Sequence, residues 1–233
     1  MKKLTKLGII HTILMVVLFS NQSLAQMKMS STKTNTAMNS SKLKLDMRKL
    51  WEDHVTWTRN VILCLVDDLP GKDQAIKRLL QNQTDIGDAI KPIYGEEAGK
   101  KLTSLLVPHI TISAEVVNAA KAGNTVALDE ANKKWFTNAD EISTFLSKAN
   151  PNWKLADMKK MMDDHLKLTT DEAVQRIKKD YDKDVIAYDK VHNEIIMMSD
   201  MLADGIVKQF PSKFKMATKK TATVATSKTV TKK

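Results

Sequence analysis

Residues 50–59 read Leu50-Trp51-Glu52-Asp53-His54-Val55-Thr56-Trp57-Thr58-Arg59, and the spacing of the apolar side chains in and around this run decides the fold. Met47, Leu50, Trp51, Val61, Ile62 and Leu65 recur at intervals of three and four, the period of one face of an α-helix. His54 falls inside that stripe. A histidine therefore points where the core should be. The helix is expected over about 43–67 and stops at Asp68-Leu69-Pro70-Gly71, a turn signal.

The same period continues downstream. A short helix over 73–81 carries Ile76, Leu79 and Leu80, and 84–90 adds another turn or two before Pro92 and Gly95. A long helix over 96–122 aligns Leu102, Leu105, Leu106, His109, Ile112, Val116 and Ala120. Pro108 should kink it beside His109, and Gly123-Asn124 ends it. Over 126–148 the stripe is Leu128, Ala131, Trp135, Asn138, Ile142, Phe145 and Leu146, closed by Asn150-Pro151.

A short helix over 155–168 offers Met158, Met161, Met162, His165 and Leu166. Thr169-Thr170-Asp171-Glu172 then reads as a capping box. It opens the longest helix, 171–209, lined by Val174, Ile177, Tyr181, Val185, Tyr188, Ile195, Met198, Leu202 and Ile206, with His192 beside them. No run alternates at period two, so no sheet is expected, and no internal repeat recurs at a fixed period. The expectation is an all-α protein: an antiparallel, up-down four-helix-type bundle with additional short helices.

The ends differ in kind from the middle. Residues 1–25 read as a secretory signal peptide, with Lys2, Lys3 and Lys6 ahead of an apolar run from Leu7 to Phe19 and small residues before a cut after Ala25. That implies a periplasmic or secreted protein of 208 residues, with no later segment long and apolar enough to span a bilayer. Residues 26–43 form a polar leader and 212–233 a basic tail, both without apolar period and expected to be disordered. The net charge of +10 belongs to these ends, since residues 44–211 hold 24 basic and 27 acidic side chains. Specific nucleic-acid binding is therefore not expected. The tail suits anionic envelope polymers or lipid headgroups. Cys64, the only cysteine, cannot form an internal disulfide and reads as a small buried residue.

Four histidines follow the signal peptide: His54, His109, His165 and His192, each in a different expected helix. A bundle can bring such residues to one level, where imidazoles and carboxylates bind a transition metal such as copper, iron or zinc. Candidate carboxylates are Glu52, Asp53, Glu141, Asp184 and Asp189, the last spaced three residues before His192. The competing reading is a set of hydrogen-bonded core histidines. Met158, Met161 and Met162, and Met197, Met198 and Met201, would suit Cu(I) beside imidazole but are equally the fillers of a helical core. Arg59 should pair with an acid on another helix. There is no Glu-x-x-His, His-Glu-x-x-His, paired-cysteine, phosphate-loop or Gly-x-Ser-x-Gly signature, so binding or structural work is expected ahead of catalysis.

The run from Leu50 to Arg59, with Asp68-Leu69-Pro70, Tyr94-Gly95-Glu96, Ala119 to Asn124, Asn138 to Ile142, Asn150-Pro151-Asn152-Trp153 and Gly205 to Pro211, resembles a family of uncharacterised bacterial helical-bundle proteins with an L-W-x-x-H-x-x-W-T-R motif. The resemblance covers about 48–211 and implies a compact all-helical domain without assigned catalytic residues. Members are sometimes labelled glycosyltransferase. This sequence does not support that label, because sugar-nucleotide transfer generally uses an α/β nucleotide-binding domain and no strand-helix alternation is present.

Overall fold

A computed structural model of the chain describes residues 38–214. The signal peptide, most of the leader and nearly all of the basic tail lie outside the described residues. The helices are α1 (Ser40–Val66), α2 (Lys72–Tyr94), α3 (Glu96–Lys121), α4 (Thr125–Ala149), α5 (Leu155–Ile177), α6 (Tyr181–Gln209) and the single turn α7 (Pro211–Phe214). Among the described residues there is no strand.

The all-α bundle expected from the apolar period is present, but it is built from six long helices. The two expected short helices are full-length. Pro92 sits in the last turn of α2, and the break comes at Gly95, whose φ of 92° is a left-handed conformation that costs glycine little. The capping box at Thr169–Glu172 lies inside α5. Thr170 Oγ1 donates to Leu166 O at 2.8 Å, so its hydroxyl closes on the preceding turn and leaves no start to cap. The real boundary is Lys179, with φ 58°, followed by Asp180, whose carboxylate accepts from Lys183 N at 3.2 Å. Because α6 starts afresh at Tyr181, its inward face also differs from the expected stripe. Tyr181 and Val185 are exposed, while Asp184, Ala187, Val191 and Glu194 turn inward.

Asn39 caps α1 by accepting from Ser41 N at 2.8 Å, so the helix takes up residues 40–43 of the expected leader. At the other end Phe214 is buried and Lys213 O accepts from Met38 N at 2.7 Å, which extends the folded part three residues past its expected limit. Helix α3 continues through Pro108. By length and apolar content α3 alone among the described helices could cross a membrane, contrary to the expectation from sequence. Leu102, Leu105, Leu106 and Ile110 spend that apolar surface inside the bundle.

Each helix packs on its chain neighbours, and α6 packs back on α1, closing a ring. Helices α1, α3 and α5 also touch one another, so they form an inner trio, and α2, α4 and α6 each sit between two of them. The chain thus repeats one helical hairpin three times. Buried positions correspond after 55 residues and then 56: Met47, Leu102 and Met158; Trp51, Leu106 and Met162; His54, His109 and His165; Val55, Ile110 and Leu166. In the outer helices the step is 56 both times: Leu79, Trp135 and Val191 correspond, as do Ile86, Ile142 and Met198. This is a repeat that the sequence did not disclose.

The α2 and α3 backbones approach closely at Gly87 and Gly99. A methyl group on Gly87 would collide with Thr103 Oγ1 and lie 2.7 Å from Gly99 O, and one on Gly99 would lie 2.6 Å from Gly87 O. Alanine is the better helix former by about 1 kcal/mol, yet Gly87→Ala is expected to destabilise the protein by roughly 2 kcal/mol, because overpacking outweighs propensity. Urea denaturation of the variant checks this. A midpoint equal to or above that of the parent protein would show that the helices part without cost.

Candidate functional site

Three of the four histidines meet. His54 on α1, His109 on α3 and His165 on α5 are each no more than 4% exposed. The ring centroids of His54 and His165 are 5.9 Å apart and those of His109 and His165 6.5 Å. All three line one apolar cavity of about 30 Å³ at the middle of the inner trio, together with Met47, Met162, Met198, Trp51 and Trp153. A cavity of that size holds a water molecule or an ion. Trp51 lies edge-on to His54 at 5.7 Å, and Trp135 is tilted against His109 at 5.4 Å.

Burying an imidazole is costly unless its ring nitrogens are satisfied, and each hairpin solves this with its outer helix. Asn138 on α4 donates through Nδ2 to Leu105 O at 3.0 Å, which turns its Oδ1 toward His109 Nδ1 at 2.9 Å. An acceptor there fixes the Nδ1–H tautomer and leaves Nε2 with its lone pair. Asn82 on α2 occupies the corresponding place. Its Nδ2 donates to Leu50 O at 2.9 Å, and its Oδ1 accepts from Gln83 Nε2 at 3.2 Å. Gln83 Nε2, an amide donor, lies 3.3 Å from His54 Nδ1, so this ring nitrogen faces a donor where that of His109 faces an acceptor. In the third hairpin a carboxylate replaces the amide, and Glu194 Oε2 accepts from His165 Nδ1 at 2.9 Å. Among the described residues no hydrogen bond engages Nε2 of the three rings.

Burial pushes the His109 imidazolium down to about 3, helped by repulsion from His165 and opposed by Asn138. Burial likewise holds His54 well below the ordinary imidazole range, with His165 and His109 adding to the effect and Asn82 opposing it. Both rings are therefore neutral at pH 7, the state in which imidazole is a ligand or a proton acceptor.

The other expected site residues stand apart. His192 is half-buried on the outer side of α6, tilted against Tyr188 at 6.2 Å and 3.8 Å from Glu52 Oε1. Asp189 and Glu141 are exposed. The physical reason is helical phase: on α6 the inward residues are Val191, Glu194 and Ile195, and on α4 they are Asn138, Ala139 and Ile142. Cys64 is only partly buried. Sequence reasoning missed Asn82, Gln83 and Glu194 altogether and named Asn138 only as part of a stripe. The available signal was a polar residue on an apolar face 28 or 29 positions after each core histidine.

A second polar cluster lies further along α5, between the inner trio and α6. Arg59 Nη1 donates to Glu172 Oε1 at 3.1 Å and Nη2 to Asp184 Oδ2 at 2.7 Å, the cross-helix pairing expected of Arg59. Arg176 Nη1 reaches Asp184 Oδ2 at 3.3 Å and its Nε reaches Asp67 Oδ2 at 2.8 Å. Glu172 is fully buried, and its Oε2 has no partner among the described residues. Burial lifts its pKa to about 7 against the pull of Arg59, while repulsion from Asp184 adds to the rise and attraction to His165 offsets part of it. Burial would lift Asp184 too, but hydrogen bonds from Arg59 and Arg176 hold it below the ordinary aspartate value.

The chain matches no protein-family model, no curated protein and no solved structure.

The raised Glu172 pKa has a sign that can be measured. The folded protein holds this proton more tightly than the unfolded chain does, so stability falls as pH climbs from about 4.5 to about 7 and levels off above. The loss is on the order of 3 kcal/mol at most. Asp184 acts in a separate window, below its ordinary value. Denaturation curves for Glu172→Gln should lack the fall seen in the parent protein between pH 4.5 and 7. Parallel pH profiles for the two proteins would mean that Glu172 ionises in the fold as it does in water.

Proposed function

We propose that this protein is a transition-metal-binding helical bundle whose ligands are Nε2 of His54, His109 and His165. The observation that carries the reading is the convergence of the rings: all three line one small cavity, and Nδ1 of His109 and of His165 each faces an oxygen acceptor on the neighbouring outer helix, which leaves Nε2 of those two rings with its lone pair. Metal-bound histidines almost always donate their other N–H to a carbonyl or carboxylate in this way. Three imidazoles suit zinc, iron or copper and would leave a coordination position for water or another small ligand.

As the side chains stand, no three of the described histidine, cysteine, aspartate and glutamate residues are spaced to hold an ion. Centroids of imidazoles sharing one tetrahedral ion would lie roughly 5 Å apart, so the His54–His165 and His109–His165 pairs must close by about 1 and about 1.5 Å. The earlier candidates His192, Asp189 and Glu141 have no part in this centre. Export, an electrostatic tether in the basic tail, and kinship with the L-W-x-x-H-x-x-W-T-R proteins belong to the same proposal. They rest on the residues quoted for them, with the signal peptide and nearly all of the tail outside the described part.

Titrating metal-free protein with Co²⁺ or Zn²⁺ tests the centre, by the visible spectrum of the first and the heat of the second. One ion per chain is expected. His109→Ala should abolish binding, Glu194→Gln should weaken it about 10- to 100-fold, and His192→Ala should leave it unchanged. Protein that binds no ion at any accessible concentration, or that loses binding equally with His192→Ala, would remove the proposal and leave the three histidines as hydrogen-bonded core residues.

A further inference from the structure

One helical turn beyond the histidines each inner helix carries a hydroxyl: Thr58 after His54, Ser113 after His109 and Thr169 after His165. All three line a second cavity of about 70 Å³, more than twice the volume of the first. That the same step leads from one cavity to the next in all three helices shows that α1, α3 and α5 run in the same direction. Aliphatic side chains such as Ile62, Val117 and Ala173 make up most of its remaining wall, and no charged residue lines it. Trp135 is shared, since its indole also packs on His109.

The polar groups of this cavity are not equivalent. Thr58 Oγ1 donates to His54 O at 2.8 Å and Ser113 Oγ to Ile110 O at 2.8 Å, so these hydroxyls have spent their protons on the helix. Thr169 and Trp135 have not. Thr169 is 5% and Trp135 3% exposed, and neither Thr169 Oγ1 nor Trp135 Nε1 has a partner among the described residues. A buried donor without an acceptor costs about 1–3 kcal/mol. Two such groups on one cavity leave hydrogen-bond capacity that an occupant could use.

We propose that this cavity is a binding site for a small neutral molecule with an apolar body and one acceptor atom, the chemistry of a short-chain ketone, aldehyde or alcohol. The volume admits a few non-hydrogen atoms. The mainly aliphatic wall disfavours a charged ligand, because no charged residue lines the cavity to offset its desolvation. Trp135 Nε1 and Thr169 Oγ1 supply donors for the acceptor atom. The site goes beyond the metal reading and needs no ion.

The test uses metal-free protein and three probes: acetone, xenon as a purely apolar filler, and acetate as a charged control. In methyl- and indole-resolved NMR, acetone and xenon should both move the Val117 and Ala173 methyl signals. Acetone alone should move the Trp135 indole N–H, and acetate should move none of them. Trp135→Phe keeps the wall but removes the donor, so acetone should bind about tenfold more weakly while xenon is unaffected. Ala173→Leu should exclude both, and if that variant does not fold, Trp135→Phe still decides. Absence of any shift with acetone, equal binding of acetate, or no effect of Trp135→Phe on acetone would overturn the proposal. Probe binding in a protein that never takes up metal would leave this site standing and remove only the imidazole centre.

Discussion

The structure depends on a solvation constraint: three imidazoles placed in an apolar core must each find a hydrogen-bond partner for Nδ1, because an unsatisfied ring nitrogen there would cost more than a typical contact returns. The partner always comes from an outer helix, Gln83, then Asn138, then Glu194. Each of these bonds fixes the sliding register of two helices. Asn138 is held in turn by Leu105 O, and Asn82 by Leu50 O, so the amides cannot rotate away. With three hairpins clamped at the same level and α6 returned to α1, the ring closes only when all three registers agree. The stacked apolar positions above and below the histidines follow from that agreement.

The departures from threefold symmetry are as informative as the symmetry. Where the first two hairpins have Val61 and Val116, the third has Glu172. Arg59 has Ala114 and Thr170 as its counterparts. A buried carboxylate with one oxygen unpartnered is a liability that apolar side chains at the same position avoid, and ion pairs of this kind are rarely net stabilising. Their retention at one end of the inner trio, together with an acid in place of an amide at Glu194, makes the α5–α6 hairpin chemically distinct from the other two. The histidine on that hairpin is the one whose ring lies within 6.5 Å of both others.

Much of the fold was legible in the chain because helical periodicity survives any change of apolar residue. The stripes through Met47, Leu102, Ala131 and Met158 and the inward placement of His54, His109 and His165 needed only spacing. The α5–α6 boundary was not legible. It uses a left-handed Lys179 where glycine would have announced the stop, while Thr169–Glu172 imitates a helix start inside α5. The repeat was hidden for a related reason. Equivalent positions keep only their apolar class, as in Trp51, Leu106 and Met162, and one extra residue shifts the period from 55 to 56. The partners of the histidines could not be read at all, since which outer residue faces which ring is fixed by register between helices rather than by any local pattern.

The electrostatics of the shared cavity narrow the chemistry that the proposed centre would support. His54 and His109 contribute no charge at neutral pH, and Glu194 is the one carboxylate bonded to a ring of the trio. Were a divalent ion held there by His54, His109 and His165, it would supply Lewis acidity in surroundings of low polarity, where uncompensated charge is strongly unfavourable, within a cavity of about 30 Å³. Larger anions are excluded by Trp51, Trp153 and the methionines that close the cavity. The same apolar lining admits a neutral molecule without penalty. The residues that make the core would therefore admit an uncharged guest and shut out a charged one.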